Sequence, residues 1–377
     1  MPKSQTSKPL DNLKNSLDDR ILYPWQYLEY LGEDDRTFIE KSEGIYLFDK
    51  TGRKLIDGPG GMWNVNVGHG VKEIADAVYA QIRSMPYASP FTESTEIAYN
   101  YASRLVKYAP GDLKRVFFTS GGSAAVDSAL RFVMFYNNVR GLRDKKQIIS
   151  RHDAYHGSTY LGASCSGKER DKNNFDFAND IVHHLSSPNP FRKPDDMSDE
   201  DFCDLKVKEL EDKIIELGPE KVAAFIAEPI LASGGVIVPP KGYQKKTLEV
   251  CRKYDVIYIS DEIVTGFGRL GHIFASENYF DIQPDIILLA KGITSGYVPC
   301  GAVVISERLM SQLDHKEKVI FSNGFTDSGH PVSMAAATAT LDYIEKTNLL
   351  DHVKEVGPYL QSRLQELTDL PIVGEVR

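Results

Sequence analysis

The chain has 377 residues, 42 % of them hydrophobic and 26 % charged, the composition of a soluble globular protein long enough for two domains. Its 44 basic and 53 acidic residues give a net charge of −9, which excludes a general binder of phosphate backbones. No apolar run approaches the ~20 residues that a membrane helix needs. The polar start, Met1-Pro2-Lys3-Ser4-Gln5, lacks an apolar signal core. Cys165, Cys203, Cys251 and Cys300 are scattered with no CxxC spacing, as expected of reduced thiols in a cytoplasmic protein.

In chain order, residues 1–20 are polar and read as an arm. Ile45–Asp49 and Lys54–Asp57 flank Lys50-Thr51-Gly52-Arg53 and predict a hairpin with a glycine in its turn. Apolar spacing predicts helices over Val71–Met85 and Thr92–Tyr108, then a short strand at Arg115–Phe118 and a helix from Ser123. Further strands are expected at Gln147–Ser150, Val222–Ala227, Val256–Ser260 and Ile286–Ala290, with helices at Asp201–Leu217 and Tyr243–Tyr254 between them. Residues 167–200 are polar and read as a surface excursion, with His183-His184 at the surface. Pro371–Arg377 reads as a turn entering a strand. Alternating strands and helices imply an α/β fold with a mainly parallel sheet.

Polar and glycine-rich sequences follow five of these strands. They are Thr119-Ser120-Gly121-Gly122-Ser123, the segment from Arg151 to Gly157, Glu228-Pro229, Asp261-Glu262 and Lys291-Gly292. Ligands of open α/β sheets bind outside the carboxyl ends of the strands, so the five would converge on one crevice. The glycine turn before a helix, with Ser123 at the N-cap, suits a phosphate. Lys291 closes an apolar strand, where a neutral amine can form a Schiff base with an aldehyde. Asp261 at a strand end can pair with a cationic ring nitrogen, and Tyr155 offers a face for a planar cofactor. Gly266–Gly271 matches GxGxxG, but Asp261–Thr265 separates it from its strand and no helix signal follows. His152 and His156 are four residues apart, without the glutamate of a zinc-peptidase helix.

The run Asp261-Glu262-Ile263-Val264-Thr265-Gly266-Phe267-Gly268-Arg269 resembles the signature of the class III aminotransferases, and Lys291–Ala302 resembles their lysine segment. Gly60-Gly61-Met62-Trp63-Asn64, Tyr155-His156-Gly157, Glu228-Pro229 and Gly324–Pro331 also match, so the resemblance covers residues 20 to 377. It implies fold type I of the pyridoxal phosphate (PLP) transferases, as in aspartate aminotransferase: a large domain with a mainly parallel sheet plus a smaller α/β domain. Residues 1–60 would be the arm and part of the small domain, 61–335 the large domain and 336–377 an incomplete C-terminal small domain. The partner would be a second copy of the chain, as a homodimer or a dimer of dimers.

Position by position, the resemblance assigns the Schiff base and proton transfer to Lys291 and the pyridine nitrogen to Asp261. Gly122 and Ser123 would hold the phosphate, Tyr155 and Ile263 would cover the two ring faces, and Glu228 would sit beside Asp261. Thr326 would reach the phosphate of the neighbouring subunit. Trp63 and Trp25, with Tyr155, would line the substrate pocket. The implied reaction moves an amino group from an amine or ω-amino acid to a keto acid such as pyruvate; an aminomutase or a decarboxylase is the alternative. The phosphate loop departs from the family's usual Ser-Gly-Ser-Glu, reading Gly121-Gly122-Ser123-Ala124. An arginine for the acceptor's carboxylate is expected beyond Arg377, with Arg151 as the candidate within the chain.

Overall fold

The computed structural model describes residues 21–30, 36–313 and 319–377. The polar arm therefore lies outside the described residues. The chain divides into two compact units, Met1–Asp57 and Gly58–Arg377.

In the first unit, strands β1 (Ile39–Glu43), β2 (Tyr46–Asp49) and β3 (Lys54–Ile56) form an antiparallel sheet in that order. The predicted hairpin is β2–β3, with Tyr46 opposite Ile56. One carboxylate holds its turn together: Asp49 accepts hydrogen bonds from the Thr51 and Arg53 backbone N–H groups, both at 2.9 Å. Gly52 takes φ +84° there, a conformation that costs glycine little.

The second unit is built on a seven-stranded sheet: β4 (Leu113–Thr119), β5 (Gln147–Arg151), β6 (Val182–Leu185), β7 (Val222–Ala227), β8 (Ile257–Asp261), β9 (Ile286–Leu289) and β10 (Gly301–Ser306). Their spatial order is β4-β10-β9-β8-β7-β5-β6. All pairings are parallel except those of β10, which runs antiparallel to β4 and β9. The flanking helices are α1 (Lys72–Ser84), α2 (Glu96–Leu105), α3 (Gly122–Val139), α4 (Asp199–Leu217), α5 (Tyr243–Lys253), α6 (Pro331–Lys346) and α7 (Leu349–Gln365).

Strand β7, Val-Ala-Ala-Phe-Ile-Ala, is buried throughout because both faces of the sheet are covered. Ala224 and Ile226 join the cluster made by Ala125, Val126, Ala129 and Val133 of α3. Phe225 and Ala227 join the opposite cluster, with Leu210 and Ile214 of α4 and Cys251 of α5. A fully buried side chain such as Phe225 contributes about 1.5–3 kcal/mol. A third cluster ties Ile287, Leu289 and Val304 to Met334, Ala337 and Leu341 of α6. The boundary expected at residue 335 falls inside this helix.

Three strands escaped the sequence reading, the first of them β1 (Ile39–Glu43) beside the hairpin. Val182–Leu185, inside the polar excursion, pairs with β5 as the edge strand β6. His183 and His184 belong to it rather than to a loop, and burial pushes His184 down to about 4. Gly301–Ser306 is fully buried, though the sequence placed it only in the lysine segment. The turn at Pro371 is present, but residues 373–377 form no ladder. Among the described residues no helix is long and apolar enough to cross a membrane.

Candidate active site

The carboxyl ends of β4, β5, β7, β8 and β9 share one edge of the sheet. Strand β8 ends on Asp261, which is buried. Its Oδ1 accepts the Ile263 N–H at 3.1 Å, and its Oδ2 lies 2.7 Å from His156 Nδ1. His156 is buried too, and its Nε2 has no hydrogen-bond partner. Glu228, after β7, accepts the Tyr155 N–H at 3.0 Å and the Ala232 N–H at 3.1 Å. Burial raises the Glu228 pKa; the His156 charge opposes the shift and Asp261 adds to it. Two carboxylates and an imidazole thus lie together in a region of low polarity, which strengthens the forces among them.

Lys291 follows β9 with φ +45°, a left-handed conformation that costs a non-glycine residue about 1–3 kcal/mol. Among the described residues its amine has no hydrogen bond or ion pair. Burial pushes its pKa down, against the pull of the Asp261 and Glu228 carboxylates. The Lys291 turn packs on the Gly60–Asn66 segment. A Cβ on Gly292 would strike Asn66 Nδ2, and one on Gly296 would lie 2.6 Å from Asn64 Nδ2. Asn66 continues the brace: its Nδ2 donates to the Phe267 carbonyl at 2.9 Å, and its Oδ1 accepts from Arg269 at 2.7 Å.

Helix α3 starts beside this group. Gly121, not Ser123, occupies its N-cap; Ser123 is inside the first turn, where its Oγ accepts the Ser158 N–H at 3.1 Å. The serine is drawn inward because Gly157, at φ +107°, has no Cβ to block it. A Cβ on Gly122 would meet Ile263 Cδ1 at 3.0 Å and Ala290 Cβ at 3.5 Å, so the helix start, Ile263 and the lysine turn are in contact. The Tyr155 ring, half-buried, runs from Glu228 at its backbone to Ser158 at its hydroxyl, 3.1 Å away.

Lys291, Asp261, Glu228, Tyr155, Ile263, Gly122 and Ser123 are therefore gathered at one edge. Trp63, half-buried with φ +58°, is on the segment packed against the lysine turn. Thr326 is exposed on the loop before α6, its carbonyl accepting the Tyr87 hydroxyl at 3.1 Å. Trp25 is exposed in the first unit. Arg151, the in-chain candidate for a carboxylate ligand, is fully buried and donates to the Glu228 carbonyl at 2.6 Å, so it is not available to a keto acid. His152 and His156 part company: His152 stacks on His184 at 5.4 Å and faces Glu169.

The sequence reading used His156 only as part of a motif; its place against Asp261 was missed. Its signal was adjacency to Tyr155 on a strand-end loop. The missed Glu262 is a structural neighbour, fully buried and bonded to the Ala275 N–H at 2.7 Å and the Ser276 N–H at 2.8 Å.

A lysine, a carboxylate and a helix N-terminus at the carboxyl edge of such a sheet define a fold type I enzyme of the PLP class. The chain belongs to the class-III aminotransferases, whose family model matches residues 31–377. It is 40 % identical over 361 residues to a putrescine–pyruvate aminotransferase of Pseudomonas aeruginosa, covering 95 % of this chain and 78 % of that protein. A mitochondrial gamma-aminobutyrate transaminase of Oryza sativa subsp. indica is 39 % identical, over 90 % of this chain and 66 % of its own length. Among solved structures, an (S)-enantioselective omega-transaminase from Thermomicrobium roseum superposes with a TM-score of 0.93 at 36 % identity, covering 98 % of this chain and 82 % of that one. The omega transaminase from Pseudomonas jessenii in complex with PMP gives 0.93 at 37 % identity, with coverages of 96 % and 81 %. The protein is thus a PLP-dependent aminotransferase of the omega-transaminase type.

Proposed function

We propose that the enzyme takes the amino group of a primary amine or ω-amino acid and delivers it to a keto acid such as pyruvate, in two half-reactions at Lys291. Putrescine and gamma-aminobutyrate, named for two relatives, are both terminal amines, and pyruvate is named for one of them. The observation that carries the reading is the pairing of a clamped carboxylate with an unpartnered amine: Asp261 held by His156 and the Ile263 N–H, and Lys291 beside it.

The residues suit PLP. The first turn of α3, through Gly122 and Ser123, offers N–H groups and a hydroxyl to a phosphate. Tyr155 and Ile263 would flank the ring, Asp261 would hold its nitrogen, and Glu228 would support Tyr155 and Asp261. When bound, PLP supplies a carbonyl for exchange of amines and a protonated ring that accepts the electron pair left when the substrate C–H bond breaks. Lys291 would offer the cofactor's carbonyl a neutral amine, the state that its burial favours. Its Nζ would be the group that holds and moves the proton at the substrate carbon. Asp261, held on both oxygens, would keep the ring nitrogen protonated.

Trp63 would restrict the pocket that receives the amine's substituents. Thr326 would complete the phosphate site of a second copy, making the working unit a homodimer. Support comes from its exposed loop, flanked by Tyr87 and by Phe91, which is 69 % exposed. The four cysteines are buried and unpaired, consistent with a reducing cytoplasm. The test is borohydride reduction of the purified protein followed by peptide mass spectrometry. A cofactor adduct on Lys291 and amine-dependent release of a keto or aldehyde product are expected. An adduct elsewhere, or carbon dioxide release in place of amino transfer, overturns the reading.

A further inference from the structure

A second lysine stands at the site, and nothing in the reaction above uses it. Lys168 belongs to the excursion after β5, and its side chain is only 11 % exposed. Its ammonium lies over the face of the Tyr155 ring, 5.5 Å from the centroid. It donates a hydrogen bond to Ser233 Oγ, on the loop that follows Glu228. The nearest carboxylate, Asp171, is 4.0 Å away, at the limit of an ion pair. Asp153, Glu228 and Asp171 face it with opposite charge and Arg170 with like charge, while burial pushes its pKa down.

Desolvating an ammonium is costly, and a methionine would fill the same volume without that cost. What the charge supplies is attraction to the negative face of an aromatic ring. It also links three segments, the Tyr155 loop, the Gly167–Asp171 turn and the Ser233 loop. With Lys168 over one face of Tyr155, a planar ligand would have to stack on the other. The far end of the ring is fixed separately, through Ser158 to Ser123 on the phosphate side.

We propose that Lys168 is a positioning residue for the cofactor: its cation covers one face of Tyr155, sets the plane of the ring and so prepares the other face for stacking. The inference rests on Tyr155 being the stacking residue of the proposed function.

Its test compares Lys168→Met, which keeps the stem, with Lys168→Arg, which keeps the charge. PLP affinity is read by quenching of tryptophan fluorescence, and ring orientation by the visible circular dichroism of the bound cofactor. A cation–π contact predicts that Lys168→Met weakens PLP by about three- to tenfold and reduces the dichroism, with Lys168→Arg within about twofold of wild type. Wild-type affinity and dichroism in Lys168→Met would overturn the proposal, as would an arginine variant as weak as the methionine one. Should Lys168→Met fail to fold, Ser233→Ala removes the hydroxyl that anchors the ammonium. It should lower affinity about twofold, and an unchanged affinity and dichroism overturn the proposal. A wild-type protein that bound no PLP would instead defeat the proposed function, so the two failures are distinct.

Discussion

His156 Nδ1 and Asp261 Oδ2 lie 2.7 Å apart with both side chains closed to solvent. The imidazole holds and orients the carboxylate, while its own Nε2 is left without a partner. Hydrogen bonds to charged groups contribute about 1.5–3 kcal/mol, so His156→Phe should lower kcat by about 10- to 100-fold. His156→Gln, which can still donate, should recover part of the loss. The substrate deuterium isotope effect on kcat should rise in the phenylalanine variant, because proton transfer becomes slower. An unchanged isotope effect together with a lowered melting temperature would leave His156 a packing residue only.

Lys291 should cost the empty enzyme stability. Its pKa is depressed in the folded protein, so between the folded value and the ordinary lysine value of 10.5 the unfolded chain binds more protons. Stability of the cofactor-free protein therefore rises with pH through that window. Lys291→Met removes the titration and should raise the melting temperature at neutral pH, with the advantage shrinking as pH approaches 10.5. Thermal melts of both cofactor-free proteins across this range check the sign. The same variant should lose the covalent cofactor link and transamination altogether.

Gly157→Ala should damage the phosphate cradle. The added Cβ would lie 2.5 Å from Ser123 Oγ and 2.9 Å from Ser123 Cα, in a backbone of φ +107°. Strain of this kind costs about 1–3 kcal/mol. We expect the PLP dissociation constant to rise about tenfold or more, with the substrate range unchanged. Equilibrium dialysis of cofactor and protein measures it.

Trp63→Ala should widen the range of amines. The side chain is half-buried on the segment packed against the lysine turn, so its removal opens space near the reacting amine with limited loss to the core. Turnover of bulky amines should rise relative to small ones, with a stability loss below about 3 kcal/mol, the low end for truncating a fully buried aromatic. A large fall in melting temperature at constant substrate range would make Trp63 a core residue.

The parts legible in sequence were those where local pattern and tertiary role coincide. Val222–Ala227 is a strand at the residues expected because a doubly covered strand needs an unbroken apolar run. Lys291 and Asp261 stood out because a charge at the end of such a run demands an explanation. His156 was harder: its partner is 105 residues away, and nothing local in Tyr155-His156-Gly157 announces a carboxylate. Ser123 falls two positions inside the helix because Gly121 takes the N-cap, a position that glycine also fills well. Arg151 illustrates the opposite error. Its charge suggested an exposed ligand, but the structure buries it against Tyr243 and the Glu228 carbonyl. Strand β6 is an edge strand of four residues, too short and too mixed for a periodicity argument.

The way the Gly60–Asn66 segment sits on the lysine turn has a consequence for how the enzyme can diverge. Gly292 and Gly296 abut the Asn66 and Asn64 side chains so closely that a Cβ at either glycine would strike an amide nitrogen. The lysine turn is thereby fixed by geometry, whatever molecule the enzyme serves. Trp63, one residue before Asn64, is under no such steric veto. A lineage can exchange it and alter its diet while leaving its chemistry untouched, so closely related copies of this scaffold should differ in appetite far sooner than in reaction.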